Sequence, residues 1–155
     1  MDREEFLSAV EELRRTPARL RELIARVPAE REAVRPAPDA FSPRENVHHL
    51  RDLEAEGYGA RLLRLLAEPD PVLPDVDGAA LARERDYNAR PCAGALDEFT
   101  RLRAANVERL GRLADADLER GGTQENVGPV TIAKLVLLWR DHDRDHLAEV
   151  ARMAT

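Results

Sequence analysis

The chain has one cysteine, Cys92, so an internal disulfide and a metal site of paired thiolates are both excluded. Aromatic residues are scarce at 4%, and Lys134 is the only lysine among 24 basic residues. Long apolar runs are missing too. No stretch approaches the roughly 18–20 residues of a membrane span, and Met1–Glu5 lacks the apolar segment of a signal peptide. These absences predict a cytoplasmic protein with no membrane partner. Basic residues are interspersed with acids and the net charge is −6, which predicts no nucleic-acid partner.

What remains is a chain of 155 residues, 43% hydrophobic and 35% charged, whose core residues are mainly Leu, Val and Ala. That composition suits helix packing and one domain over residues 1–155. Four segments carry helical periodicity. The first runs from about Asp2 to Val27, with Asp2 and Glu5 as a capping box. Pro17 is expected to kink or restart it, with Thr16 as the new cap. The second opens at Ser42-Pro43-Arg44-Glu45, where a Ser cap, a Pro in the first turn and a Glu three residues on form a start signal. It should reach about Leu66, before Pro69, Pro71 and Pro74. The third spans about Leu96 to Ala114, and the fourth runs from the Thr131 cap to about Met153. A turn or short hairpin is expected over Gly121–Pro129, and a short helix near residues 80–88. The predicted fold class is all-α, a four-helix bundle.

The four histidines fall at two places, His48-His49 and His142 with His146. Residues advance about 100° around a helix, and on that wheel His146 falls near the middle of the arc drawn by Ile132, Leu135, Val136, Trp139 and Val150. His142 sits one turn before it, on the same face. On the second helix the arc of Val47, Leu50, Leu53, Tyr58 and Leu65 favours His49 as the inward residue and leaves His48 for the surface. Burying several imidazoles without a shared ligand leaves donors and acceptors unsatisfied. A divalent ion on His49, His142 and His146 resolves this, and three neutral nitrogens with one open position suit zinc, nickel or iron. Acid near the ordinary histidine pKa of about 6.5 should then release the ion.

Around these residues the chain resembles a known family. Phe41-Ser42-Pro43-Arg44-Glu45-Asn46-Val47-His48-His49-Leu50-Arg51-Asp52 is similar to the Trp-Ser-x-x-Glu-x-x-x-His-Leu-x-Asp signature of the DinB/YfiT-like superfamily. Asp141-His142-Asp143-Arg144-Asp145-His146-Leu147 resembles that family's second histidine motif. The resemblance implies an up-down-down-up bundle, a histidine triad on His49, His142 and His146 holding zinc or nickel, and often a homodimer. It also implies relatives that act on small molecules, including transferases and isomerases using low-molecular-weight thiols such as bacillithiol or mycothiol. Phe41 stands where many relatives have Trp, and Thr123-Gln124 where a loop often carries a His.

Function stays divided at this point between a metal-dependent thiol transferase or hydrolase and a non-catalytic metal-binding stress-response bundle. Glu45, Asp52, Tyr58, Arg61 and Asp143 are the candidate substrate or supporting contacts. A protease reading of His142-Asp143-Arg144-Asp145-His146 fails because Asp is one methylene shorter than the Glu that chemistry uses. A di-iron reading of Glu45 with His48 fails because that pair lies off the centre of the apolar arc.

Overall fold

The computed structural model describes residues 1–155. Helix α1 is Arg3–Ala25, capped by Asp2 and Glu5 as expected from the sequence. It neither breaks nor restarts at Pro17. Proline removes the N–H that would have bonded the carbonyl four residues back, and the freed Leu13 oxygen accepts a 2.7 Å bond from Arg103 Nη1 instead. Thr16 is not a cap either: its hydroxyl bonds Glu12 O and the Asp143 carboxylate.

The second long segment is α2, Pro43–Asp52, then a π-helical turn at Leu53–Tyr58, then α3, Gly59–Ala67. Ser42 and Glu45 form the capping box at its start. The π turn requires Gly59, because a Cβ there would sit 2.2 Å from Glu54 O and 2.9 Å from Asn106 Nδ2. A short strand β1, Val72–Leu73, leads to α4, Gly78–Glu84, capped by Asp77. After a 3₁₀ turn at Tyr87–Ala89 comes α5, Cys92–Gly111. The hairpin is β2, Gly121–Gln124, with β3, Gly128–Thr131, and β1 adds to it in parallel on the β2 edge. Thr131 caps α6, Ile132–Met153. No helix is long and apolar enough to cross a membrane.

The apolar core is in two parts. One holds Phe6, Leu13, Leu62, Leu110 and Trp139, and the other Leu20, Leu50, Phe99 and Val150. Chain order through them gives the topology: α1 and α6 run from the first cluster to the second, while α2–α3 and α5 run from the second to the first. This is a four-helix bundle with up-down-down-up order.

A buried polar layer separates the two clusters. Arg103 reaches Glu54 through Nε and Nη2 at 2.9 and 2.8 Å, and Asp143 through Nη1 and Nη2 at 2.6 and 3.2 Å. Asn106 Nδ2 and Trp139 Nε1 donate to Glu54 as well, at 3.0 and 3.2 Å. The Arg103 guanidinium and the two carboxylates are almost completely excluded from solvent. Opposite charges in these fork geometries offset desolvation that would otherwise expel them from the core.

Candidate metal centre

His49 lies in the last turn of α2, and His142 and His146 are one turn apart on α6. Their ring centroids stand 5.1, 4.5 and 4.5 Å from one another. One nitrogen from each ring falls within 4.8 Å of the other two, and His49 Nε2 is 3.0 Å from His142 Nε2. His49 is buried, and the other two rings keep partial access to solvent.

The tautomer of His146 follows from its neighbour. Asn46 Nδ2 donates to Ser42 O at 3.1 Å, which leaves Asn46 Oδ1 as the acceptor facing His146 Nδ1 at 2.7 Å. The neutral form of His146 therefore carries its proton on Nδ1 and presents a lone pair at Nε2. Burial pushes His49 down to about 2, helped by the His146 and His142 rings, and burial also lowers His142. Both are neutral at ordinary pH, the state a metal ligand needs.

The donor set fits a divalent ion. Without one, the Nε2 contact between His49 and His142 leaves Nδ1 of both rings buried and unpartnered in any tautomer. With Nε2 of each ring on a metal, both Nδ1 atoms become donors, and His142 Nδ1 then faces the Asp143 carboxylate at 3.9 Å. The rings are closely bounded: Phe41 packs on His49 and His146, and Tyr58 on His142. The backbone at Gly78 approaches so near that a Cβ there would lie 2.7 Å from His49 Cε1.

The other candidates divide. Tyr58 packs on His142, and Arg61 stands next to Tyr58, its guanidinium 5.2 Å from that ring's centre. Asp143 lies just behind His142, held down in pKa against burial by Arg103, His142 and Thr16. Glu45 is elsewhere: it caps α2 and is gripped by Arg35 through bonds of 2.8 and 2.6 Å. Asp52 is also elsewhere, bonded to Arg51, Arg85 and Tyr87.

The expectation that His48 sits on the surface is overturned. It is buried, stacked on Tyr87 at 5.4 Å, with Nε2 3.1 Å from Arg90 O. The segment between α4 and α5 folds over that face of α2, and the π turn at Leu53–Tyr58 separates His48 from Tyr58 and Leu65, which help to define the apolar arc. Asn46, Glu54, Arg103 and Gly78 were not foreseen. Arg103 and Asn106 do fall on one stripe with Phe99 and Leu110, a signal that polar partners wait inside.

The family model of the DinB superfamily matches residues 12–150. The chain belongs to the DinB superfamily. A protein of Oceanobacillus iheyensis named "putative metal-dependent hydrolase" is 27% identical over 113 residues, 73% of this chain and 64% of that protein. The match thus spans less than two thirds of that relative's length. The DinB-like bundle also superposes on YfiT from Bacillus subtilis, titled "a probable metal-dependent hydrolase with an unusual four-helix bundle topology". That comparison has a TM-score of 0.91 at 21% identity and covers 99% of this chain and 87% of YfiT.

Proposed function

We propose that this DinB-superfamily chain holds one zinc or nickel ion on Nε2 of His49, His142 and His146, and that it is a hydrolase of a small-molecule substrate. The observation that carries the reading is the convergence of three imidazoles, two of them held neutral by desolvation and the third fixed by Asn46. When bound, such an ion supplies Lewis-acid chemistry, polarising a substrate oxygen and acidifying water or a thiol near neutral pH.

The chain's own contribution is electrostatic and positional. Glu54, Arg103 and Asp143 together leave one excess negative charge buried behind His142, which favours a cation at the triad. Asp143 is occupied by Arg103 and Thr16, so its part is a fixed charge rather than a carrier of protons. Phe41 and Tyr58 flank the rings with apolar surface, and the partial exposure of His142 and His146 leaves a path for a ligand. The names given to the Oceanobacillus and Bacillus proteins agree with this assignment.

Metal analysis of purified wild type and His146→Ala tests the site, followed by a screen of ester, amide and phosphoester substrates with and without thiols. One ion per chain in wild type, none in the variant, and hydrolysis only by the former is the expected result. A wild type that retains no stoichiometric ion overturns the site. Full metal loading with no turnover of any substrate would favour the non-catalytic binding module.

A further inference from the structure

Two arginines are buried in this bundle, and their surroundings differ. Arg103 has every side of its guanidinium engaged by carboxylates or a carbonyl. Arg61 is just as firmly held inside, with its side chain only 6% exposed. Yet its only hydrogen bond is a long one, Nη2 to Pro74 O at 3.4 Å, and Nε is buried with no partner. The nearest carboxylate, Asp75, is 3.9 Å away and half exposed. A guanidinium offers five N–H donors, and stripping them of water without replacement is costly.

Its position is informative. Arg61 is one helical turn beyond Tyr58 on the segment that follows the π turn, and its charge rests on the Tyr58 ring at 5.2 Å. Tyr58 also neighbours His142, ring centres 5.1 Å apart. The segment that touches Arg61 at Pro74 and Asp75 continues to Gly78, whose backbone abuts His49. Arg61 and the triad thus share one aromatic wall and one covering strand of chain.

We propose that Arg61 is an oxyanion-binding subsite beside the histidine triad, and that the physiological ligand carries a carboxylate or phosphate a few bonds from the atom presented to the triad. The inference rests on the metal reading above. Guanidinium matches such oxyanions through paired, charge-assisted hydrogen bonds, which Pro74 O and Asp75 do not supply. Binding would exchange the 3.9 Å approach of Asp75 for direct contacts and anchor the ligand at a second point.

The test uses the full chain loaded with cobalt(II), whose absorption reports a thiolate joining the metal. Affinities are measured for ω-mercaptoalkanoates from mercaptoacetate to mercaptohexanoate, for mercaptoalkylphosphonates, and for uncharged mercaptoalcohols of matched length. At one chain length the anionic thiol should bind at least about tenfold more tightly than its neutral match, a difference near 1.4 kcal/mol. The carboxylate and phosphonate series tell the two head-groups apart. Arg61→Met should erase the preference while leaving neutral thiols unchanged, and Arg61→Lys should restore part of it. A purely structural arginine would weaken both kinds of thiol together in Arg61→Met, which overturns the proposal. So do equal affinities in wild type at every length, or cobalt that binds but accepts no thiol. Failure of wild type to bind cobalt at all is a different result, seen before any thiol is added, and sinks the metal reading itself.

Discussion

Replacing Arg103 by Met probes the layer that divides the core. The substitution deletes five hydrogen bonds: two to Glu54, two to Asp143 and one to the Leu13 carbonyl that Pro17 set free. It leaves two carboxylates facing one another in a site from which water is excluded. Breaking a buried ion pair by removing one partner costs about 3–5 kcal/mol. Domains have only about 5–15 kcal/mol in total, so Arg103→Met should lose about a fifth of its stability or more. Arg103→Lys keeps the charge and loses the fork, and should fall between the two.

The pH dependence gives the cause a signature. In wild type Arg103 is foremost in holding Asp143 below the usual carboxylate range, so that contribution is full above the unfolded pKa and is lost as pH falls through the folded one. In Arg103→Met burial acts on the carboxylates without a counter-charge, and their folded pKa rises above the unfolded value. Protons are then taken up preferentially by the folded state, and the gap between variant and wild type should narrow on going from pH 7 to pH 5. Urea unfolding at several pH values measures this directly. A variant within about 1 kcal/mol of wild type at pH 7, with an unchanged m-value, would refute the argument, since the layer would then be solvated.

Four further outcomes are expected. Asn46→Ala should weaken metal binding about 10–100-fold, because His146 Nδ1 loses its acceptor, while the lost bond to Ser42 O costs only a modest part of the stability; competition with a chromophoric chelator reads the first and urea unfolding the second. Gly59→Ala should destabilise by more than the usual helix-interior gain from Ala, visible as a lowered Tm, since its Cβ would collide with Glu54 O. Cys92 is pushed up to about 12 by burial and by Glu32, so native protein at pH 8.5 should react with a thiol reagent about a thousandfold more slowly than unfolded chain, as colour release would show. His49 and His142 are both lowered by burial, so in metal-free protein the unfolded state binds protons that the folded state refuses. Below about pH 6.5 stability should fall by about 1.4 kcal/mol per pH unit through His49, with His142 acting in the same direction, and metal release should require more acid than the ordinary imidazole value suggests. Stability that is flat between pH 7 and pH 5 would contradict this.

Three of the four long-helix starts were legible from residues alone, because capping is a local interaction; α5 begins at Cys92, ahead of the expected Leu96, with no side-chain cap to mark it. Asp2 with Glu5, Ser42 with Glu45, and Thr131 each satisfy N–H groups within one turn of themselves. The pairing of His142 with His146 was legible for the same reason: regular α-helix over that stretch carries the phase correctly. So was the resemblance to the DinB superfamily, which lies in residue order. Tertiary structure decided the rest. Pro17 looked like a break because the partner for the freed Leu13 carbonyl, Arg103, lies 90 residues away. His48 looked exposed because the Tyr87 ring that covers it comes from a crossing segment. Glu54 turned inward because a π turn, permitted by Gly59, shifts the phase of the helix where α-periodicity had been extrapolated. Local signals act over a few bonds and can be read in order along the chain. Where a buried charge finds its partner depends on contacts between distant segments, which exist only once the bundle has closed.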